Sequence, residues 1–489
     1  MVAIPGFGKT RGGEARGQSR SRSGRRAIFP CIAARTVYSR IAYDVREVQW
    51  RGMGYCNRAR AVGKSVAIPD PTDEANCRPQ RLLDLLPATR APDSQGEQQM
   101  PNEGKRDFKI ISADGHIIEP PGMWERYLPK KFHAQAPRVV KDPEGGDAWE
   151  VVPGEPIMPI GLVTNRGDWG RRYEDNNWFG TTYENMRHGA YDGKARLDEQ
   201  DIDGVSAEVL YPSQRTMAAF MAQPDSEYHL AGIDAYNQWM WEDFSTPDRN
   251  RLIGLYQIPG VDIESAVARV KEAKKLGVKG LILSSLPSGN ADLSSADDPF
   301  WAAAEEAELP VHIHVGLKHA GLSEKVGSRK VRVEGHKLQF AVPNLQFMGG
   351  AVAEFSGLFA RLIYSGMFDR FPGLEMVMME CGAGWVPHCV EHMDDHWWRN
   401  RVWSESSLKE LPSHYFYKNW KVGFIRENFT VQNRHWFGVD NLLWANDYPH
   451  HRHDWPYSRR IIEETMAGVD PVEKFKMVCG NAKELYKLG

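Results

Sequence analysis

FKIISADGH, residues 108–116, is an apolar run that closes on Asp114 and His116, and its reading decides the fold. Residues i and i+2 of a strand face the same side, so both polar side chains project from one face at the strand's carboxyl end. The same arrangement recurs along the chain. PVHIHVG (310–316) carries His312 and His314, LEMVMMECG (374–382) approaches its end at Glu380, and NLLWANDYP (441–449) does so at Asp447. Donors this far apart in sequence converge only where a fold gathers strand ends at one mouth, as a (β/α)8 barrel does.

Further short runs fill the intervals: VSAEVLYP (205–212), LIGLYQIP (252–259), VKGLILSS (278–285) and, least regular, a strand near NFTVQ (428–432). Each is apolar, β-branched or aromatic and ends in polar or Gly/Pro punctuation. Helical spacing separates most of them. Tyr228, Ile233, Tyr236, Trp239, Met240 and Phe244 mark one helix within 226–245. DIESAVARVKEAKKLG is a second, opened by Asp262 and closed by Gly277. In DDPFWAAAEEAEL, Asp298 is the expected cap and Pro299 sits where a first-turn proline is tolerated. Alternating strands and helices predict an α/β chain, a (β/α)8 TIM barrel of the metal-dependent hydrolase type over 108–487, closed by two helices in 456–487. The interval 117–200, rich in Trp and Tyr, reads as a β1–α1 insertion that caps the barrel mouth, with Arg171 and Arg172 either meeting an anionic substrate or lying on the surface.

The 489 residues are 42% hydrophobic and 26% charged with a formal net charge of −3, which gives no bulk charge for nucleic acid. No run reaches the roughly 18 apolar residues that cross a bilayer. Neither nucleic acid nor a membrane is expected as a partner; a small-molecule substrate is. The six cysteines (Cys31, Cys56, Cys77, Cys381, Cys389 and Cys479) form no CxxC pair, which predicts a reduced, cytoplasmic setting. Residues 1–99 contain SRSRSGRR and no sustained periodicity, and read as a disordered extension or an over-extended start ahead of Met100. A targeting segment at Arg25–Arg26 and a basic interaction tail are the other readings.

Asp114 and His116 can capture a metal from one strand end, although Asp before Gly is also a common turn former. His314 lies nearer the carboxyl end of its strand than His312, so His314 reaches the site and His312 packs a layer deeper. Asp447 is a metal ligand or proton carrier, or else a cap for the next helix. Glu380 is a general base, a metal ligand, or a carboxylate held by amides at the start of the following helix. His450 is close enough to the last strand to reach substrate. The tract HHRHDW (450–455) also leaves room for a second metal on Glu380, His450 and Asp454. LILSS offers no lysine, which argues against a carbamylated-lysine binuclear centre.

ISADGHIIEPPGMWERYLP, PVHIHVG, FPGLEMVMMECGAGW and LLWANDYPH together resemble the amidohydrolase superfamily, in its branch of aminocarboxymuconate-semialdehyde decarboxylase-like metal-dependent hydrolases, over roughly 108–487. The resemblance implies a hydrolase or non-oxidative decarboxylase (carboxy-lyase) of a small carboxylated or cyclic metabolite, and a homodimer or homotetramer. It implies one divalent ion, zinc first and manganese or iron next, on Asp114, His116, His314 and Asp447; from their own positions Glu380, Asp447 and His450 are the residues expected to be catalytic. Two departures stand out: Asp in place of the family's first His or Glu, and Glu380 where relatives carry a strand-six His. The Glu380, His450 and Asp454 group leaves a non-haem di-iron oxygenase on the same barrel open, and a catalytically silent barrel subunit is the remaining alternative.

Overall fold

The computed structural model describes residues 108–489 apart from 155–156, 163, 165–177, 214–216, 218–219, 222, 224, 316, 318–327, 333–338 and 344. The readings of residues 1–99, Arg171 and Arg172 lie outside the described residues.

Eight parallel strands follow one another in the sheet as they do in the chain: β1 Ile111–His116, β2 Ala207–Tyr211, β3 in two pieces at Leu252–Gly254 and Tyr256–Ile258, β4 Leu281–Leu283, β5 Val311–His314, β6 Met376–Met379, β7 Trp420–Phe424 and β8 Leu442–Trp444. β1 pairs with β2 and β2 with the first piece of β3. The second piece pairs with β4, and pairing then runs through β5, β6 and β7 to β8. The chain returns to β1 through a parallel bridge between Gly115 and Tyr448, where His116 N donates to Tyr448 O at 2.7 Å and Asp447 N to Asp114 O at 3.0 Å. This is the mixed α/β TIM-barrel arrangement, whose strand carboxyl ends share one face. Nearly every strand residue is buried, as expected where helices cover the outside of a parallel sheet.

Local chemistry sets the helices. Asp262 accepts from Ser265 N at 2.7 Å to open α3 (Ile263–Leu276), which follows α1 (Gly193–Asp203) and α2 (Ser226–Trp239), and Gly277 ends α3 at φ 80° in the left-handed region that only glycine enters freely. Ala266, Val270 and Ala273 form the buried face of α3. α4 spans Asp298–Ala307 with proline in its first turn, but Asp298 is a helical residue and Asp297 occupies the cap. The expected cap is therefore displaced by one, because Asp297 is already engaged with Ser294 in the capping box of a preceding turn. The outer layer continues with α5 (Leu345–Tyr364), α6 (Val386–Asn400), α7 (Pro412–Asn419) and α8 (Ser458–Thr465). Two helical stretches, 458–465 and 471–485, close the chain as expected.

The seventh strand lies N-terminal to the position expected from the sequence. NFTVQ forms a short helix, Asn428–Gln432, and the strand lies at WKVGF, where Trp420, Val422 and Phe424 alternate into the core. That period-two pattern is the stronger strand signal, and Lys421 and Gly423 between the large residues obscure it. In the described part of the interval after β1, a three-stranded antiparallel sheet joins Arg138–Lys141, Asp147–Glu150 and Met158–Pro159. Trp149 Nε1 donates to Tyr183 Oη at 2.8 Å, and that hydroxyl donates to Glu119 O at 2.7 Å. A hairpin of Ser328–Arg332 and Gln339–Pro343, absent from the sequence reading, follows β5. No helix among the described residues is long and apolar enough to cross a membrane.

Candidate metal centre

At the carboxyl ends of β1, β5, β6 and β8 the fold brings Asp114, His116, His314, Glu380, Asp447 and His450 together. His116 Nε2 lies 3.3 Å from an oxygen of Asp114 and 3.3 Å from one of Asp447. His314 Nε2 lies 3.3 Å from Asp114 and 3.3 Å from Glu380. His450 Nδ1 stands 3.0 Å from Asp447 and its ring stacks on His116 at 3.7 Å. Asp114, His116, His314 and Asp447 are buried, while Glu380 and His450 reach partly into solvent. Two overlapping donor groups result, Asp114–His116–His314 and His116–Glu380–Asp447–His450.

Backbone geometry aims these side chains. Val315, Glu380 and Asp447 adopt φ of 52°, 51° and 58°, left-handed values that non-glycine residues rarely take. All three directly follow or lie near a barrel strand's end, where the turn points Glu380 and Asp447 back across the mouth. Such strain persists only where surroundings hold it, and it clusters at functional sites.

Charge balance shows what the cluster requires. Burial pushes the Asp114 carboxyl up, but attraction to His314 and the close approach of the His116 and His314 imidazoles, each at 3.3 Å, hold it below its ordinary value. Asp447 is likewise opposed by burial and held well below the ordinary range by His450 and His116. Burial disfavours a charged His116, yet Asp114 and Asp447 raise it to about 10. The two buried carboxylates thus demand a positive charge between them. Neither oxygen of either carboxylate, nor His116 Nε2, has a hydrogen bond of proper geometry. A divalent cation satisfies all of these atoms together, and donors 3.3 Å apart match ligands of one ion at about 2.0–2.2 Å. The residues present fit a metal.

Several alternatives resolve. The amides of Ala383 and Gly384 before α6 are taken by Glu427 at 3.0–3.2 Å, so Glu380 is not held by that helix start. Asp447 caps no helix. His312 packs below the site, with Nδ1 2.6 Å from Tyr211 Oη, and burial lowers it to about 3. Asp454 leaves the cluster for Arg426 at 3.0 Å, and His453 accepts from Trp455 N at 2.9 Å, so the proposed second site on Glu380, His450 and Asp454 is not assembled.

A buried arginine that sequence reasoning missed holds the mouth in place. Arg196, on α1, is fully buried; Nε donates to Glu208 of β2 at 2.5 Å, Nη1 to the carbonyls of His116 and Gly189 at 3.0 Å each, and Nη2 to Tyr448 O at 2.9 Å. The signal was Glu208 itself, a carboxylate inside an apolar strand, which demands a buried partner.

A TIM-barrel frame with clustered carboxylates and imidazoles at its carboxyl mouth defines a metal-dependent enzyme class. The chain belongs to the amidohydrolase family, whose model matches residues 210–488. It is similar to the gamma-resorcylate decarboxylase of Rhizobium radiobacter, 22% identical over 335 residues covering 63% of this chain and 91% of the relative. In structure it is similar to an amidohydrolase from Mycobacterium avium subsp. paratuberculosis K-10, with a TM-score of 0.56 at 19% identity over 78% of this chain and 98% of the other. A dihydroxybenzoic acid decarboxylase from Polaromonas sp. JS666 aligns with a TM-score of 0.51 at 18% identity over 78% and 98% of the two chains, and that structure holds manganese and 2-nitroresorcinol. The metal in that neighbour is not the zinc expected first from the sequence.

Proposed function

We propose that this chain is a metal-dependent carboxy-lyase that releases CO2, without an oxidant, from a small hydroxylated aromatic acid. The convergence of Asp114, His116, His314 and Asp447, with buried oxygens lacking hydrogen bonds, supports this reading most directly. In it those four residues hold one divalent ion and Glu380 completes the shell or acts as a base. Manganese suits the set, because carboxylate oxygens favour harder ions. When bound, the ion supplies Lewis acidity toward a substrate oxygen.

Side chains do the rest. As the bond between ring and carboxyl breaks, its electron pair stays on the ring carbon, which takes a proton while CO2 leaves. Asp447 and His450, 3.0 Å apart and opening partly to solvent at His450, hold and deliver that proton. The ring of Tyr211 packs on that of His314, with centroids 4.7 Å apart, and helps hold that imidazole in place. Hydrolysis is the second reading, favoured by Glu380 beside His314, where a partly exposed carboxylate can take a proton from water.

Protein loaded with Mn2+ is expected to release CO2 from 2,6-dihydroxybenzoate or a related acid, and Asp447→Asn to lose about a hundredfold or more in kcat. Metal-loaded protein that evolves no CO2 from a panel of hydroxybenzoates would overturn the carboxy-lyase reading, and cleavage of an amide or ester instead would favour hydrolysis.

A further inference from the structure

α6 carries His388, His392 and His396 at four-residue intervals. Residues four apart lie one above another on a helix, and here the rings do so in fact. The centroids of His388 and His392 are 6.3 Å apart at 28°, and those of His392 and His396 are 5.9 Å apart at 29°. All three side chains are exposed, whereas Val386, Val390 and Met393 form the buried face of the same helix. Among the described residues no hydrogen bond or ion pair engages any of the three imidazoles. The ladder therefore neither packs the core nor holds a neighbouring element.

Two parallel imidazoles one turn apart need only side-chain rotation to aim a nitrogen each at one ion, at about 2.0–2.1 Å for zinc. Exposure leaves those torsions free and spares the ligands a desolvation cost. Imidazole is a donor for zinc, copper and nickel rather than for the harder ions that carboxylates favour. Glu391, exposed beside His392, adds negative charge on the same turn. We propose that the His388–His392–His396 ladder is a second metal site, on the outer surface of the barrel, that chelates a borderline transition ion between neighbouring imidazoles. His392 belongs to both pairs, so the ladder takes one ion at a time. This site is independent of the carboxy-lyase reading and of the ion at the barrel mouth.

The test is Ni2+ uptake by the full chain with its barrel site already loaded with Mn2+, measured by equilibrium dialysis and by the rise in melting temperature. One Ni2+ per chain is expected beyond any that replaces Mn2+ at the mouth, so bound Mn2+ is counted in the same dialysis and exchange there is subtracted. His392→Ala breaks both pairs and weakens uptake on the order of a hundredfold, the usual scale for losing a second linked contact. His388→Ala and His396→Ala each leave one pair and weaken it only about twofold. Because all three positions are exposed, circular dichroism is expected to show intact folding in each variant. Absence of additional Ni2+ in the native chain, or uptake that survives His392→Ala, overturns the proposal.

Discussion

Arg196 Nε lies 2.5 Å from Glu208 Oε2 with both side chains shut off from solvent. The remaining guanidinium hydrogens bind the carbonyls of His116, Gly189 and Tyr448. One buried cation therefore ties the end of β1 to the end of β8, the two strands that close the barrel and supply Asp114, His116 and Asp447. Added bulk is poorly tolerated beside it, since a Cβ at Gly115 would stand 2.9 Å from Arg196 Nη2.

Breaking that pair strands a charge in the interior. Glu208→Gln keeps the shape but leaves the guanidinium unneutralised, and the expected loss is about 3–5 kcal/mol of unfolding free energy. Urea denaturation of the purified variant measures it. A loss below about 1 kcal/mol, the scale of a surface pair, would mean that Arg196 has another counter-charge.

His312 and His314 stand two residues apart on β5 and have separate jobs. His314→Ala removes a donor from the mouth, and metal affinity is expected to fall at least 10–100-fold, roughly the cost of losing even an outer-shell partner. His312→Leu takes away the partner of Tyr211 and leaves that hydroxyl buried and unsatisfied, for about 1–3 kcal/mol of stability. Metal analysis after dialysis, alongside thermal melts, separates them. Equal metal loss in both variants would show that depth along the strand does not assign the ligand.

His450 touches Asp447 from the solvent side, which suits a proton carrier better than a structural ligand. His450→Gln is expected to retain one bound metal per chain while kcat falls on the order of a hundredfold with little change in KM. Loss of the metal with the activity would move His450 into the coordination shell.

Strand ends were the legible part of this chain. Asp114, His116, His314 and Asp447 stood out because each interrupts an apolar run with a metal-ligating group, and the parallel barrel makes such interruptions meet. His314 was distinguishable from His312 by position alone. Arg196 was not legible, because an arginine in KARLDEQD on an insertion helix looks like any solvated charge, and only the fold turns it inward over Gly115. Glu427 escaped for a similar reason. Its capping of Ala383 and Gly384 spans more than forty positions, and no local pattern encodes a contact of that kind. β7 was lost to a competing run of aromatic and β-branched residues, Phe429, Thr430 and Val431, whose neighbours Asn428 and Gln432 give no strand alternation.

A buried histidine far from the metal makes the stability of this protein sensitive to mild acid. His229, on α2, is 3% exposed, and burial lowers it from 6.5 to about 4. Below pH 6.5 the unfolded chain gains a proton there that the folded chain cannot hold until about pH 4. The native state therefore loses stability across that window, by up to about 3 kcal/mol, and loses nothing on this account above neutrality. Asp203 works in the opposite direction, since burial raises its carboxyl to about 6 and folding favours its protonated form as pH falls. Comparison with a variant isolates the histidine. His229→Phe is expected to lose about 2 kcal/mol less than the native chain between pH 7 and pH 5 in matched urea titrations. Parallel losses in the two proteins would place the acid sensitivity elsewhere.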